Sequence, residues 1–266
     1  NLDRVQREMD TSIARLSSGK RITRAHDDAA GSAIAGRMES QIRGLTMNIR
    51  HAKDGQALVD TQEGALQEVT SILQRMRELA VQAASGVAAD ADRDYLDLEM
   101  TQLVAEIEAI NMNTKFNDRY VLTGTSFSFY TDIDVAGTKI STIAANITVT
   151  SLGTGVSTVQ VDISSATSNT STTGVQAVIT RVDNAIASIA AMRANLGAVS
   201  NRFDHVVDNL TNVIANTADS KSRIEDADFA VETTALTRNT ILQQAATSMV
   251  AQANASKNTI LALIQS

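Results

Sequence analysis

Leu2, Val5, Met9 and Leu16 recur at spacings of three and four, with Ser12 at the intervening position and Ile13 beside it. This is the signature of an amphipathic helix. It stops at Ser17-Ser-Gly19, where glycine can adopt the left-handed conformation that ends helices. After a polar linker holding Asp27 and Asp28, the pattern restarts at Ile34. It keeps helical spacing through Met38, Ile42, Leu45, Ile49, Ala52, Val59, Leu66, Val69, Leu73, Met76 and Ala80. Gly44, Gly55 and Gly64 interrupt it, each about 1 kcal/mol poorer than alanine in a helix, so packing has to hold this helix together. A turn at Ser85-Gly86 leads to a further helix with Leu96, Met100, Leu103, Ile107 and Ile110 on one face, completing a helical hairpin.

The period changes after Phe116. Ile147 and Val149 alternate with polar residues, as do Val159, Val161 and Ile163, around Ser151-Leu-Gly-Thr-Gly155, which predicts a β-hairpin. Residues 164–174 read as a low-complexity loop. Helical spacing returns from Val175 to Val213, and a polar break is expected at 216–222, followed by Ser222-Arg-Ile-Glu225 with capping-box spacing. The last helix carries Leu242, Ala246, Met249, Ala253, Ile260 and Leu263 in heptad register, with Asn239 and Ser256 as polar interruptions. Apolar stripes this long must be covered by another helix or another molecule. The expected fold is mainly α: an elongated antiparallel bundle, a terminal coiled coil pairing 1–18 with 223–266, and a small β-hairpin insert.

Composition sharpens this picture. About 13 prolines would be expected in 266 residues at the usual 5% or so, yet there are none, as uninterrupted helices require. With no Trp, five Phe and three Tyr, the apolar content suits helix-on-helix seams. A net charge of −7, with no basic run, argues against a nucleic-acid partner. Lack of cysteine excludes disulfides, Cys-zinc sites and thiol catalysis. No apolar run approaches the roughly 20 residues needed to cross a bilayer, and no signal-peptide pattern opens the chain, so any export would use a route without a cleaved signal.

Catalytic motifs are missing. His26, His51 and His205 are scattered and no zinc-hydrolase, nucleophile-elbow or phosphate-loop pattern occurs. Asp27-Asp28 and Glu225-Asp226-Ala-Asp228 sit at helix starts, where carboxylates cap free N–H groups and meet the positive end of the dipole. The chain is therefore read as a non-enzyme without cofactor or metal. In Leu73-Gln-Arg-Met-Arg-Glu-Leu-Ala-Val-Gln82, Arg75, Leu79 and Gln82 fall at i, i+4 and i+7, nearly opposite the stripe of Leu73, Met76 and Ala80. Leu79 is then either the edge of a wide core stripe or an outward contact residue.

These residues carry a resemblance. Ser12-Ile-Ala-Arg-Leu-Ser-Ser-Gly-Lys-Arg-Ile22, Asp27-Asp-Ala-Ala-Gly31, Gln41-Ile-Arg-Gly-Leu45, Leu196-Gly-Ala-Val-Ser-Asn-Arg-Phe203, Ser222-Arg-Ile-Glu-Asp-Ala-Asp228, Ile241-Leu-Gln-Gln-Ala245 and Ala251-Gln-Ala-Asn254 are similar to signatures of bacterial flagellins, in the family's order. The resemblance covers roughly 1–125 and 175–266. It implies a structural subunit that polymerises into the extracellular flagellar filament, exported by the flagellar type III apparatus, with an export chaperone, cap and hook-associated proteins as partners. It also implies an inner-core coiled coil from 1–28 and 222–266 (Leu2, Val5, Met9, Leu16, Leu242, Ala246, Met249, Ala253, Ile260, Leu263) and an outer-wall bundle from 29–221 with a variable insert at about 117–174. By position, Gln74, Arg75, Leu79, Gln82 and Glu99 resemble the family's contact surface for neighbouring subunits and for Toll-like receptor 5. Phe116-Asn-Asp118 departs from the family's usual Phe-Asn-Gly turn. The alternative of the same fold is a hook-filament junction protein.

Overall fold

The computed structural model describes residues 2–85, 89–131, 139–142 and 172–264. Among the described residues five helices run in chain order: α1 (Leu2–Ser18), α2 (Ala29–Ala83), α3 (Asp90–Asn113), α4 (Thr172–Glu225) and α5 (Phe229–Ile264). Between α3 and α4 the described residues form two short antiparallel pairs, β1 (Lys115–Phe116) with β2 (Arg119–Tyr120), and β3 (Ser128–Tyr130) with β4 (Lys139–Ser141). The hairpin expected over 147–163 lies outside the described residues.

The chain forms two compact units, one of 1–44 with 212–266 and one of 45–211. The boundary between these units falls inside α2 and α4. The expected break at 216–222 is absent: α4 continues to Glu225, because Asp226 N–H still donates to the Ser222 carbonyl at 2.8 Å. Ser222-Arg-Ile-Glu225 is therefore the last turn of α4. The start of α5 is capped instead by Asp228, whose Oδ1 accepts from Ala230 N–H at 2.9 Å. Asp28 does the same for α2, accepting from Gly31 N–H at 2.8 Å.

In the 45–211 unit, α2 and α4 are antiparallel, as their polar ties show. Gln56 bonds Asp204, Glu63 pairs with Arg193, and Asp183 with Arg77, so the partner on α4 retreats as the one on α2 advances. The core lies between α2, α3 and α4, with Leu66, Met76, Met100, Ile107, Leu196 and Phe203 all fully enclosed. Phe203 sits against Gly55, where a Cβ would come within 2.5 Å of the ring. The glycine that weakens α2 locally is thus the notch that admits an aromatic ring from α4. Phe129 of β3 meets Phe203 edge-on, with ring centroids 5.7 Å apart, so the second hairpin is fastened to this same point.

The β1–β2 turn keeps a tight geometry without glycine. Asn117 and Asp118 have φ of 50° and 59°, the two left-handed residues of a type I′ turn. Asp tolerates this conformation less well than Gly. Asp118→Gly is expected to raise stability by about 0.5–1 kcal/mol, seen as a higher Tm; an unchanged or lower Tm would show that the turn stores no such strain.

Candidate assembly interface

In the unit of 1–44 and 212–266, α1 and α5 pack side by side. Arg15 of α1 pairs with Glu232 at 2.9 Å, while Gln6 accepts from Gln243, so the two helices are antiparallel. On α1 the covered positions are Val5 and Ser12, with Met9 and Leu16 half-buried and Leu2 at the margin. On α5 they are Glu232 and Asn239, with Ala235, Leu236, Gln243 and Ala246 half-buried.

This divides the heptad read for the last helix into a column that faces α1 and one that does not. Ala246 faces the seam, but Leu242 is 46% and Met249 69% exposed, and Ala253 is exposed too. Ile260 and Leu263 lie within α5, though their side chains are outside the described residues. The reason is angular. Positions 232, 239 and 246 share one face, and 242 and 249 lie about 40–100° around the helix from them at about 100° per residue. The seam therefore runs through the column of 232, 239 and 246, and the column of Leu242 and Met249 is left facing outward. Nothing near Glu232 in sequence marks Arg15 as its partner, which is why the sequence reading missed this pair.

Where the chain leaves α1, Gly19 has φ of 70° and its N–H returns to the Arg15 carbonyl at 2.8 Å. The next residues are tied to the end of α4: Arg21 N–H donates to the Glu225 carbonyl, Ala227 N–H to the Gly19 carbonyl, and the Lys20 ammonium meets Glu225 at 2.6 Å. Nearby, Lys221 pairs with Glu39 of α2 at 2.5 Å, and Arg43 joins at 2.8 Å. The Lys221 ammonium first, then the Arg43 guanidinium, hold the Glu39 carboxyl down to about 2 from an ordinary 4.5. A depressed folded value means that the contribution is whole above about 4.5 and is lost as pH falls through about 2. Glu39→Gln is expected to flatten the acid limb of the stability curve in that window, as followed by helical circular dichroism; an unchanged limb would remove Glu39 from the account.

The second candidate surface lies on the 45–211 unit. Arg75 of α2 meets Glu99 of α3 at 2.9 Å and Glu78 at 3.1 Å, bringing two of the sequence-selected residues together. Gln74 and Gln82 are exposed. Leu79 is not: it is 0% exposed, within the core with Met76, Ala80, Ala83 and Met100. The outward placement of Leu79 is overturned because both α3 and α4 cover α2, widening its buried arc from Leu73 round to Leu79. The exposed apolar groups at this surface are instead Tyr95 and Leu98 of α3.

Among the described residues no cluster of three or more His, Cys, Asp or Glu could hold a metal ion. None of the described helices is long and apolar enough to cross a membrane. Paired terminal helices with an uncovered apolar stripe define a helical self-assembly subunit.

Comparison with known proteins gives the family. Residues 1–126 match the bacterial flagellin N-terminal helical region and 179–264 the C-terminal helical region. The chain is 38% identical to a flagellin of Halalkalibacterium halodurans over 100% of its own length and 93% of the relative's. It is 37% identical to the flagellar filament 31.3 kDa core protein of Treponema maltophilum, over 95% and 91%. The crystal structure of Bacillus cereus flagellin is similar at a TM-score of 0.50 and 32% identity, covering 60% of this chain and 88% of that one. The chain belongs to the bacterial flagellin family, and its function is that of a structural subunit of the flagellar filament.

Proposed function

We propose that copies of this chain polymerise outside the cell, with 1–28 and 222–266 as the inner core of the filament and 29–221 as its outer wall. The observation that carries this reading is the uncovered stripe of Val231, Leu242 and Met249 on a helix already paired along another face. Burying apolar surface yields about 25 cal/mol per Å², so such a stripe favours a further helix. An export chaperone binding α5 before assembly, a distal cap and hook-associated proteins complete the set of partners. Freed as a monomer, the chain is a ligand of Toll-like receptor 5 through the Gln74, Arg75, Gln82 and Glu99 surface, with Leu79 shaping that surface from beneath.

A putative hook-associated protein of Vibrio parahaemolyticus shares the fold, at a TM-score of 0.62 and 13% identity. That likeness concerns the fold alone. The two readings separate by negative-stain microscopy of the concentrated, full-length protein: a filament subunit forms long tubes, whereas a junction protein stays monomeric or forms short rings. Absence of tubes across salt and seeding conditions would refute the filament reading.

A further inference from the structure

The seam between α1 and α5 leaves a groove of about 590 Å³ along one side, lined by Arg4, Arg7, Arg15 and Arg238 among others. Its apolar part is formed by Val231, Ala235 and Leu242, so the outward stripe of α5 is also one wall of this groove. The charges do not cancel. Arg4 is engaged by Glu8 at 3.6 Å and Arg15 by Glu232 at 2.9 Å. Arg7 and Arg238 have no ion-pair partner among the described residues.

Elsewhere on α1 the balance is reversed. Asp3 and Asp10, at i and i+7, are exposed on one edge and likewise have no ion-pair partner among the described residues. At about 100° per residue, that edge lies about a third of a turn from the centre of the face that lines the groove, with Arg7 at the margin between them, four residues after Asp3 and three before Asp10. Ile13, one turn from Asp10, is 48% exposed beside it.

Two spare cations on the groove match two spare carboxylates on the edge, with an exposed isoleucine one turn beyond the second carboxylate. The dimensions agree too. Asp3 and Asp10 stand about 10 Å apart along the helix at 1.5 Å per residue, while helices packed as α1 and α5 are have axes about 8–10 Å apart. One helix edge laid across the groove can therefore bring one carboxylate to Arg7 on α1 and the other to Arg238 on α5. We propose that the α1–α5 groove of one copy receives the α1 edge of a second copy, with Asp3 and Asp10 of the incoming helix neutralising Arg7 and Arg238.

This rests on the filament reading and adds a property to it. Groove and edge are different patches on one chain, so the contact is heterologous: each copy offers one half and accepts the other. Such contacts propagate and do not stop at a dimer. A like-charge mismatch at such a contact is strongly unfavourable.

The test uses two charge-reversed forms of the full-length protein. One is Asp3→Arg with Asp10→Arg, the other Arg7→Glu with Arg238→Glu. All four sites are on exposed or groove-lining helix surface, and circular dichroism at matched concentration verifies that helix content is kept. Each form alone is expected to raise the critical concentration for polymerisation by about tenfold or more, since about 1.4 kcal/mol per contact suffices. An equimolar mixture is expected to polymerise near the unmodified level with both forms incorporated equally. In the mixture the reversed edge meets the reversed groove, and the two native halves meet each other. The proposal is overturned if either form alone assembles as the unmodified protein does, or if the mixture assembles no better than its components. If the unmodified protein itself forms no polymer, the filament reading falls first and this contact with it.

Discussion

Replacing Phe203 with alanine lowers the unfolding free energy by about 3–5 kcal/mol, the range for removing an enclosed aromatic ring. The ring is 0% exposed, fills the notch above Gly55 and supports Phe129 edge-on at 5.7 Å. Three elements, α2, α4 and the second hairpin, therefore lose a common contact. Gly55→Ala probes the same point from the other side. In an open helix it would be stabilising by about 1 kcal/mol, but here the new methyl would lie 2.5 Å from the ring. Overpacking of this kind costs about 1–3 kcal/mol. The double variant should be less damaged than the sum of the two, because an alanine at 55 occupies space that the ring has left. Gly64, where an added Cβ meets nothing within 4 Å, is the control: Gly64→Ala should stabilise. Urea unfolding of the four variants measures all of this, and a stabilising Gly55→Ala would refute the notch.

Leu79→Ala is the second large effect, about 2–5 kcal/mol for a fully enclosed leucine. Arg75→Ala, by contrast, removes an exposed ion pair and should leave stability nearly unchanged. The two substitutions thereby divide the receptor proposal. Arg75→Ala should weaken signalling through Toll-like receptor 5 with the fold intact, as judged by the urea midpoint. Leu79→Ala should weaken it only as far as it loosens the helices that carry Arg75 and Glu99, so its deficit should shrink when folded protein is matched. Undiminished potency of Arg75→Ala would dispose of this surface as a receptor contact.

The helices were legible because their stripes are long and proline-free. Periodicity located α1, α2, α3 and α5 and most of α4. It failed at 216–222, since a run of Asn, Thr, Asp and Ser reads as a break, although α4 passes through it with its carbonyls still paired. Local sequence cannot register the support that a neighbouring element lends: Lys221 in this stretch is held by Glu39, distant in the chain. Leu79 was ambiguous for a related reason. A single stripe implies one covering helix, and α2 has two. Of the two columns in the heptad of α5, the one through Asn239 and Ala246 faces the seam, together with Glu232 and Gln243, and the one through Leu242 and Met249 does not, which periodicity alone could not tell apart. The turn at Asn117-Asp118 shows the opposite case, a pair without glycine that the backbone still holds in the left-handed conformation.

A seam that carries polar pairs among its apolar contacts acts as a vernier. Sliding α5 by one heptad along α1 in the direction that lowers the matching α1 number would move Glu232 from Arg15 to the position of Glu8, breaking the ion pair. A seam of leucines alone would tolerate that slip with little loss. Fixing one alignment means that every copy presents Arg7 and Arg238 at the same height, and a lattice of many copies can keep its repeat only if no member is out of step.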